Sequence, residues 1–382
     1  MKSPIRTNNF DLIRLLAAAQ VVAHHGIDHL GLDRHSGIVG VLATAIRYLP
    51  GVPVFFFVSG FLISKSYESS PSVLEYARNR VLRIYPALIV CTVLSVMAVF
   101  ALGYLPRPDA PPPRLALWML AQMSIVQFYN PDFMRAFGVG VLNGSLWTIT
   151  VELQFYLVTP LLYAVLGLKH RRGTLSLALL ALALLVPNLG YWHADPENHP
   201  GALLKLFGVT FLPWYTMFLV GVLAQRNFHQ LHRLLAGRAL LAGAIYLGAT
   251  HVAVQMLGWG ASNDIHPVLY LLLAAFVFSL AYTWPGTAEK LLHRQDISYG
   301  VYIYHMPCIN VLLYLGMKGH AYALGITYIA VALMATLSWV WVERPCLSMK
   351  RGGLRHGSAE AEPLPPPSDD LPATAPLPTT GE

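Results

Sequence analysis

Residues 10–29 read Phe10-Asp11-Leu12-Ile13-Arg14-Leu15-Leu16-Ala17-Ala18-Ala19-Gln20-Val21-Val22-Ala23-His24-His25-Gly26-Ile27-Asp28-His29. This is an apolar run of the ~20 residues that the hydrocarbon core of a bilayer requires, with ionisable groups set into it. Lys2 and Arg6 precede it, as basic residues precede a secretory signal. The run nevertheless contains Arg14, ends in His24-His25 and has no small-residue cleavage site, so it reads as a retained first span.

The rest of the chain repeats this pattern. Nine further apolar runs follow, roughly at 41–64, 84–105, 146–168, 174–190, 203–224, 239–259, 266–284, 297–316 and 322–343. Of the 382 residues, 55% are hydrophobic and 12% charged, where a soluble domain has about a quarter charged. That apolar excess is too large for one soluble core. The expected fold is all-α, a polytopic membrane bundle of about ten transmembrane helices embedded in membrane lipids.

The net charge of +7 is spread over short loops rather than gathered in one patch, so nucleic acid is not an expected partner. With the amino terminus in the cytoplasm, only Arg34, Arg47, Arg107, Arg114, Arg135, Lys205 and Lys318 of the 26 Lys and Arg fall on the outer side. The positive-inside rule then selects ten spans with both termini cytoplasmic. The stretch 115–128 is apolar but short and follows Pro111-Pro112-Pro113, which reads as an interfacial or re-entrant piece on the outer side. From about Gly352 the chain turns rich in Pro, Ser, Glu and Asp. The expected organisation is therefore a membrane domain over 1–351 and a disordered cytoplasmic tail over 352–382. Cys91, Cys308 and Cys346 lie in or at the ends of apolar runs without metal-ligand spacing, so neither a disulfide framework nor a metal cofactor is expected.

Ionisable side chains inside spans cost roughly 2.5–3.5 kcal/mol on insertion scales and are candidate functional residues for that reason. Asp11, Arg14, His24 and His25 lie in the first span. Arg14 and His25 are ~16 Å apart along a helix axis, one near the inner face and the other past the midplane. A neutral imidazole takes a proton from a hydroxyl near pH 7, which makes His25 the candidate general base; His24 reads as a helix-end residue. Arg80 and Arg83, three apart, share a helix face. With Arg14 they suit a phosphate-rich ligand from the cytoplasm, or they simply obey the positive-inside rule. Glu152, two turns into the span opened by Trp147, is placed at a depth comparable with His25. It either orients an imidazole or a substrate hydroxyl, or forms a buried structural pair. Pro53 and Gly60, flanking Ser59, suggest a broken or kinked helix, and Ser59, lacking a nucleophile elbow, reads as a packing residue. His305, near mid-membrane, is a second site residue or a satisfied interhelical partner. Glu343-Arg344 reads as an interfacial anchor. The outer-loop charges Asp132, Arg135, His193, Asp195, Glu197 and His199 read as solvated.

Taken together, these residues resemble the membrane-bound acyltransferase family 3. The resemblance rests on Phe10-Asp11-Leu12-Ile13-Arg14 with His25 beyond it, the Phe-Phe-Val-Ser-Gly-Phe-Leu-Ile run at 56–63, and Arg80-Val-Leu-Arg83. It continues through Leu146-Trp147 to Glu152, Phe155 and Tyr156, Ile297-Ser298-Tyr299 to His305, and Glu343-Arg344-Pro345. These elements stand in family order from about residue 8 to 346. The resemblance implies about ten helices that carry an acyl group, usually acetyl, from cytoplasmic acetyl-CoA to a hydroxyl of a bacterial surface or exported sugar. The acceptor would be an exopolysaccharide, lipopolysaccharide or lipid-linked sugar, and the location the bacterial inner membrane. It further implies that Arg14 and His25 match the family's essential arginine and histidine, and that Arg80 and Arg83 lie near the CoA phosphates. His25 would act as general base or as acyl carrier, with Glu152 as its catalytic companion and Asp11, Ser59, Trp147, Tyr156 and His305 as supporting residues. Some family members carry an esterase-like domain after their spans; the short tail here is not expected to supply one. The rival class is a secondary transporter or flippase, which calls for paired broken helices from an internal repeat; the two halves show no convincing match.

Overall fold

The computed structural model describes residues 7–35, 37–168, 173–196, 198–199, 201–293 and 295–352. The expected tail lies, from residue 353, outside the described residues, as do Lys2, Arg6, Lys169, Arg171, Arg172, Glu197, Arg294 and Arg355. Every regular element among the described residues is helical: α1 (Phe10–His29), α2 (Gly37–Arg47), α3 (Gly51–Ser69), α4 (Val73–Ala101), α5 (Pro112–Gln122), α6 (Trp147–Val165), α7 (Gly173–Ala183), α8 (Leu185–His193), α9 (Ala202–Gly208), α10 (Tyr215–Arg226), α11 (Phe228–Leu235), α12 (Ala239–Leu257), α13 (Pro267–Tyr282), α14 (Thr287–Leu292), α15 (Ser298–Tyr314), α16 (Tyr322–Ser338) and α17 (Arg344–Gly352), with a π-helical turn at Trp339–Glu343. Among the described residues six stretches are long and apolar enough to cross a membrane: Gly37–Ser69, Val73–Ala101, Gly144–Val165, Gly173–His193, Ala239–Leu257 and Tyr322–Met349. α1 carries too many polar residues to stand among them, and α10, α13 and α15 are shorter.

Each apolar run contains helix, but several are interrupted. The run at 41–64 breaks between Arg47 and Gly51, 174–190 breaks at Leu184, and 203–224 breaks between Gly208 and Tyr215. The interruption expected at Pro53 and Gly60 is not there. α3 continues through both, because Pro53 sits in the first turn, where its missing N–H costs no bond. Gly60 serves a different purpose: a Cβ on it would lie 2.0 Å from the Phe218 carbonyl oxygen, and one on Gly221 would lie 2.1 Å from that of Phe57. The two glycines let the backbones of α3 and α10 touch, as small residues do between membrane helices. Gly60→Ala is expected to cost about 3 kcal/mol by overpacking, read as earlier thermal unfolding in detergent.

α15 lies at the centre; thirteen of its seventeen residues are buried, with α1, α4 and α16 around it. Proline supplies two of the polar contacts that fix the interior. Pro307 has no N–H for the Ile303 carbonyl, and Asn143 Nδ2 donates to that oxygen at 2.8 Å. Pro160 likewise frees the Tyr156 carbonyl, which accepts from Tyr76 Oη at 3.2 Å. In a membrane each such freed group needs another partner. The short apolar piece expected at 115–128 is α5, eleven residues packed beside α4 with Leu117 and Leu120 outward.

Candidate active site

α1 holds the two ends of the site. At its first turns Arg14 Nη1 donates to Asp296 Oδ2 at 2.7 Å, and Arg83 Nη2 donates to the same oxygen. Asp296 stands just before α15, where its other oxygen accepts from Ser298 Oγ at 2.5 Å and from the Ser298 amide at 3.3 Å. Burial works to raise the Asp296 carboxyl, but the Arg14 and Arg83 guanidiniums hold it well below the usual carboxylate range. Glu343, in the π-helical turn and only 2% exposed, completes the cluster 4.0 Å from Arg83 Nη1. It accepts from Ser338 Oγ at 3.2 Å. It is an interior residue, not the interfacial anchor the sequence suggested.

The arginine pair is divided. Residues three apart on a helix are offset by ~60°, and here that sends Arg80 to other neighbours. Arg80 Nη2 donates to Ser66 Oγ at 2.9 Å, its guanidinium stands 5.6 Å from the Tyr156 ring centre, and its buried Nε has no partner among the described residues. Tyr156 connects it to the carboxylate of α6: Tyr156 Oη donates to Glu152 Oε1 at 2.6 Å, and Ser59 Oγ donates to the same oxygen at 3.1 Å. Ser59 is thus a ligand of Glu152 rather than a packing residue. Arg14, Ser59, Glu152, Thr148, Tyr299 and Tyr302 line a space of about 30 Å³, enough for a water or two.

At the far end of α1, His25 is met by His305 rather than by Glu152. His25 Nδ1 and His305 Nε2 are 2.8 Å apart, and His305 Nδ1 lies 2.5 Å from the Tyr302 carbonyl oxygen. A carbonyl only accepts, so His305 Nδ1 carries a proton; in the neutral ring its Nε2 is then an acceptor. His25 Nδ1 therefore donates, which leaves the lone pair on His25 Nε2. The contact partner of one ring fixes which nitrogen of the other is basic. Tyr302 separates this pair from the Glu152 space: its ring meets Phe55 and its hydroxyl lies 2.6 Å from Thr148 Oγ1.

Of the remaining candidates, Trp147 packs on Trp214 with ring centres 4.9 Å apart. Asp11 is exposed in the first turn of α1, where a carboxylate meets the positive end of the helix dipole; it lies within electrostatic reach of Asp296, Arg14 and Arg83. His24 lies 3.5 Å from Asp28, one turn on, away from the His25–His305 contact. Asp296 and Tyr302 have no place in the sequence reading. The signal for Asp296 was an acidic residue two positions ahead of Ser298 at the start of an apolar run.

Membrane-length apolar helices around a polar, ion-paired interior define a polytopic membrane protein with its site inside the bundle. The chain belongs to the membrane-bound acyltransferase family 3, whose model, described as an acyltransferase domain, matches residues 7–342. It is 33% identical over 362 residues to Nodulation protein 10 of Rhizobium leguminosarum bv. viciae, covering 90% of this chain and 94% of the relative. It is 26% identical to an O-acetyl transferase of Shigella phage Sf6, covering 90% and 97%. It is 23% identical to O-acetyltransferase OatA of Staphylococcus aureus, covering 77% of this chain and 52% of that protein. No solved structure matches.

Proposed function

We propose that this chain is a membrane O-acetyltransferase that moves an acetyl group from cytoplasmic acetyl-CoA to a hydroxyl of a surface or exported sugar. The observation that carries this reading is the chain of contacts from the Tyr302 carbonyl through His305 to His25, which presents an unprotonated Nε2 on the helix that holds Arg14 at its other end. The relatives named for O-acetyl transfer support the same chemistry.

In the proposed reaction His25 Nε2 takes the proton of the acceptor hydroxyl as that oxygen attacks the thioester carbonyl. The carbon–sulfur bond breaks, the ester forms, and the thiolate recovers the proton from His25. An alternative order has His25 accept the acetyl group first and pass it on; a trapped acetyl-imidazole distinguishes it. Arg14, Arg80 and Arg83 are the proposed holders of the CoA phosphates. Each guanidinium has five N–H donors, so the contacts to Asp296 do not exhaust Arg14 or Arg83. Glu152, held by Ser59 and Tyr156, is a proposed acceptor for a substrate hydroxyl. Ten spans with both termini cytoplasmic, placement in the bacterial inner membrane, and a membrane domain over 1–351 followed by a tail belong to the same proposal.

Membranes containing the chain, supplied with acetyl-labelled acetyl-CoA and cell-surface glycan, are expected to move label to the glycan and release CoA in equal amount. Label transfer that persists when CoA thioester is omitted and another acetyl donor supplied would refute the donor assignment.

A further inference from the structure

α3 starts beside the middle of α1, where the Gly51 amide donates to Gln20 Oε1 at 3.0 Å, and runs back toward Arg14, which lines one space with Ser59. α6 runs parallel to α3, with Ser59 bonded to Glu152 and Ser64 to Tyr163. Trp147, the first residue of α6, therefore sits at the histidine end of the bundle. On that side Trp147 lines a cavity of about 400 Å³, which adjoins a second of about 680 Å³; Trp192 and Pro196 line both. Each volume lies in the range of small-ligand sites.

The lining has a consistent chemistry. Trp259 stacks on His266 with ring centres 3.6 Å apart and 14° between planes, which holds the indole as a flat platform. Trp192 packs edge-on against Trp214 at 5.8 Å. Trp214 Nε1 donates to the Gly208 carbonyl at 2.8 Å, whereas Trp192 Nε1 is buried and has no partner among the described residues. A buried donor left unpaired is destabilising, and a ligand oxygen would satisfy it. Two carboxylates face the larger cavity, Asp195 and Asp264. Asn198 Nδ2 bonds Asp195 at 3.0 and 2.9 Å and keeps its carboxyl below the usual carboxylate range. Asp264 Oδ1 accepts from the Ser262 amide at 3.0 Å. Both are acceptors for hydroxyl groups and both repel phosphate.

We infer that these two joined cavities form a binding cleft for a neutral oligosaccharide, running from Trp259 past Trp192 to Trp147. Sugar rings present C–H faces to indoles and hydroxyls to carboxylates, and Trp192 Nε1 supplies the donor for a ring or hydroxyl oxygen. The cleft ends where α6 begins, five residues before Glu152, ~7.5 Å along the axis. Asp195, a solvated loop charge in the sequence reading, becomes a ligand-facing group. Calling the sugar an acceptor rests on the acetyltransferase reading; its binding does not.

The test uses the full chain purified in detergent, with tetrasaccharides of glucose, galactose and N-acetylglucosamine as probes, read by saturation-transfer NMR and titration without any acyl donor. At least one probe is expected to bind. Trp259→Ala is expected to weaken it about tenfold and Trp192→Phe, which keeps the ring and removes the N–H, about fivefold, with unchanged thermal unfolding. Asp264→Asn gives a third arm that leaves the aromatic packing intact. No binding by the wild type, or equal binding by all three folded variants, overturns the cleft. Sugar binding without CoA-dependent transfer would instead sink the enzyme reading and leave the cleft standing.

Discussion

Replacing His25 by Ala is expected to lower acetyl transfer at least about a hundredfold, the scale of a lost general base, while the protein remains in the membrane at its normal level. The reason lies in the pairing with His305. That residue is fully buried and touches no solvent, and its Nδ1 is committed to the Tyr302 carbonyl. His305→Ala leaves the base in place but releases its tautomer, so kcat should fall about tenfold with the acceptor KM unchanged. His305→Gln should recover most of that loss, because Gln Oε1 accepts from His25 Nδ1 while its amide donates to Tyr302. Equal transfer by His25→Ala and the wild type would remove His25 from the chemistry. Equal loss in the Ala and Gln variants of His305 would make that residue a packing group only.

The second large effect concerns folding. Asp296→Ala is expected to destabilise the protein by about 3–5 kcal/mol, because removing one partner of a buried pair leaves the other charge uncompensated. Arg14, Arg83 and Asp296 are 19%, 13% and 14% exposed in their side chains, and Glu343 is too distant from Arg83 to replace a bonded carboxylate. Thermal unfolding in detergent reads the loss. Adding Arg83→Met to Asp296→Ala should restore part of it by withdrawing the stranded cation. An unchanged unfolding temperature in the single variant would show that the cluster does not hold α1, α4 and α15 together.

The sequence carried positions along a single helix and lost those that depend on how helices meet. Arg14 and His25 were legible because spacing along one helix converts directly into depth. Glu152 was read at the depth of His25, to orient an imidazole or a substrate hydroxyl or to form a buried pair; it shares a space with Arg14 instead and is held by Ser59 and Tyr156, since counting residues into one helix does not say which neighbour its face meets. Arg80 and Arg83 were grouped because three residues nearly close a turn, yet the remaining offset delivers them to Ser66 and to Asp296. Asp296 itself lies outside any apolar run, where charge reads as solvation. Hydropathy also averages over breaks, which is why Leu184 and the segment before Tyr215 were invisible in runs that read as single spans.

The seam between Gly60 and Gly221 has a kinetic meaning. Two helices whose main chains touch, with no side-chain layer between them, cannot slide past one another without driving a carbonyl into a Cα, so α3 and α10 form a fixed rail. The space beside Ser59 is too small for an acyl chain as it stands, and admission of one therefore falls to the opposite wall. That wall is α6 and α15, each a continuous helix with one backbone hydrogen bond removed by a proline, and it is there that a hinge would turn.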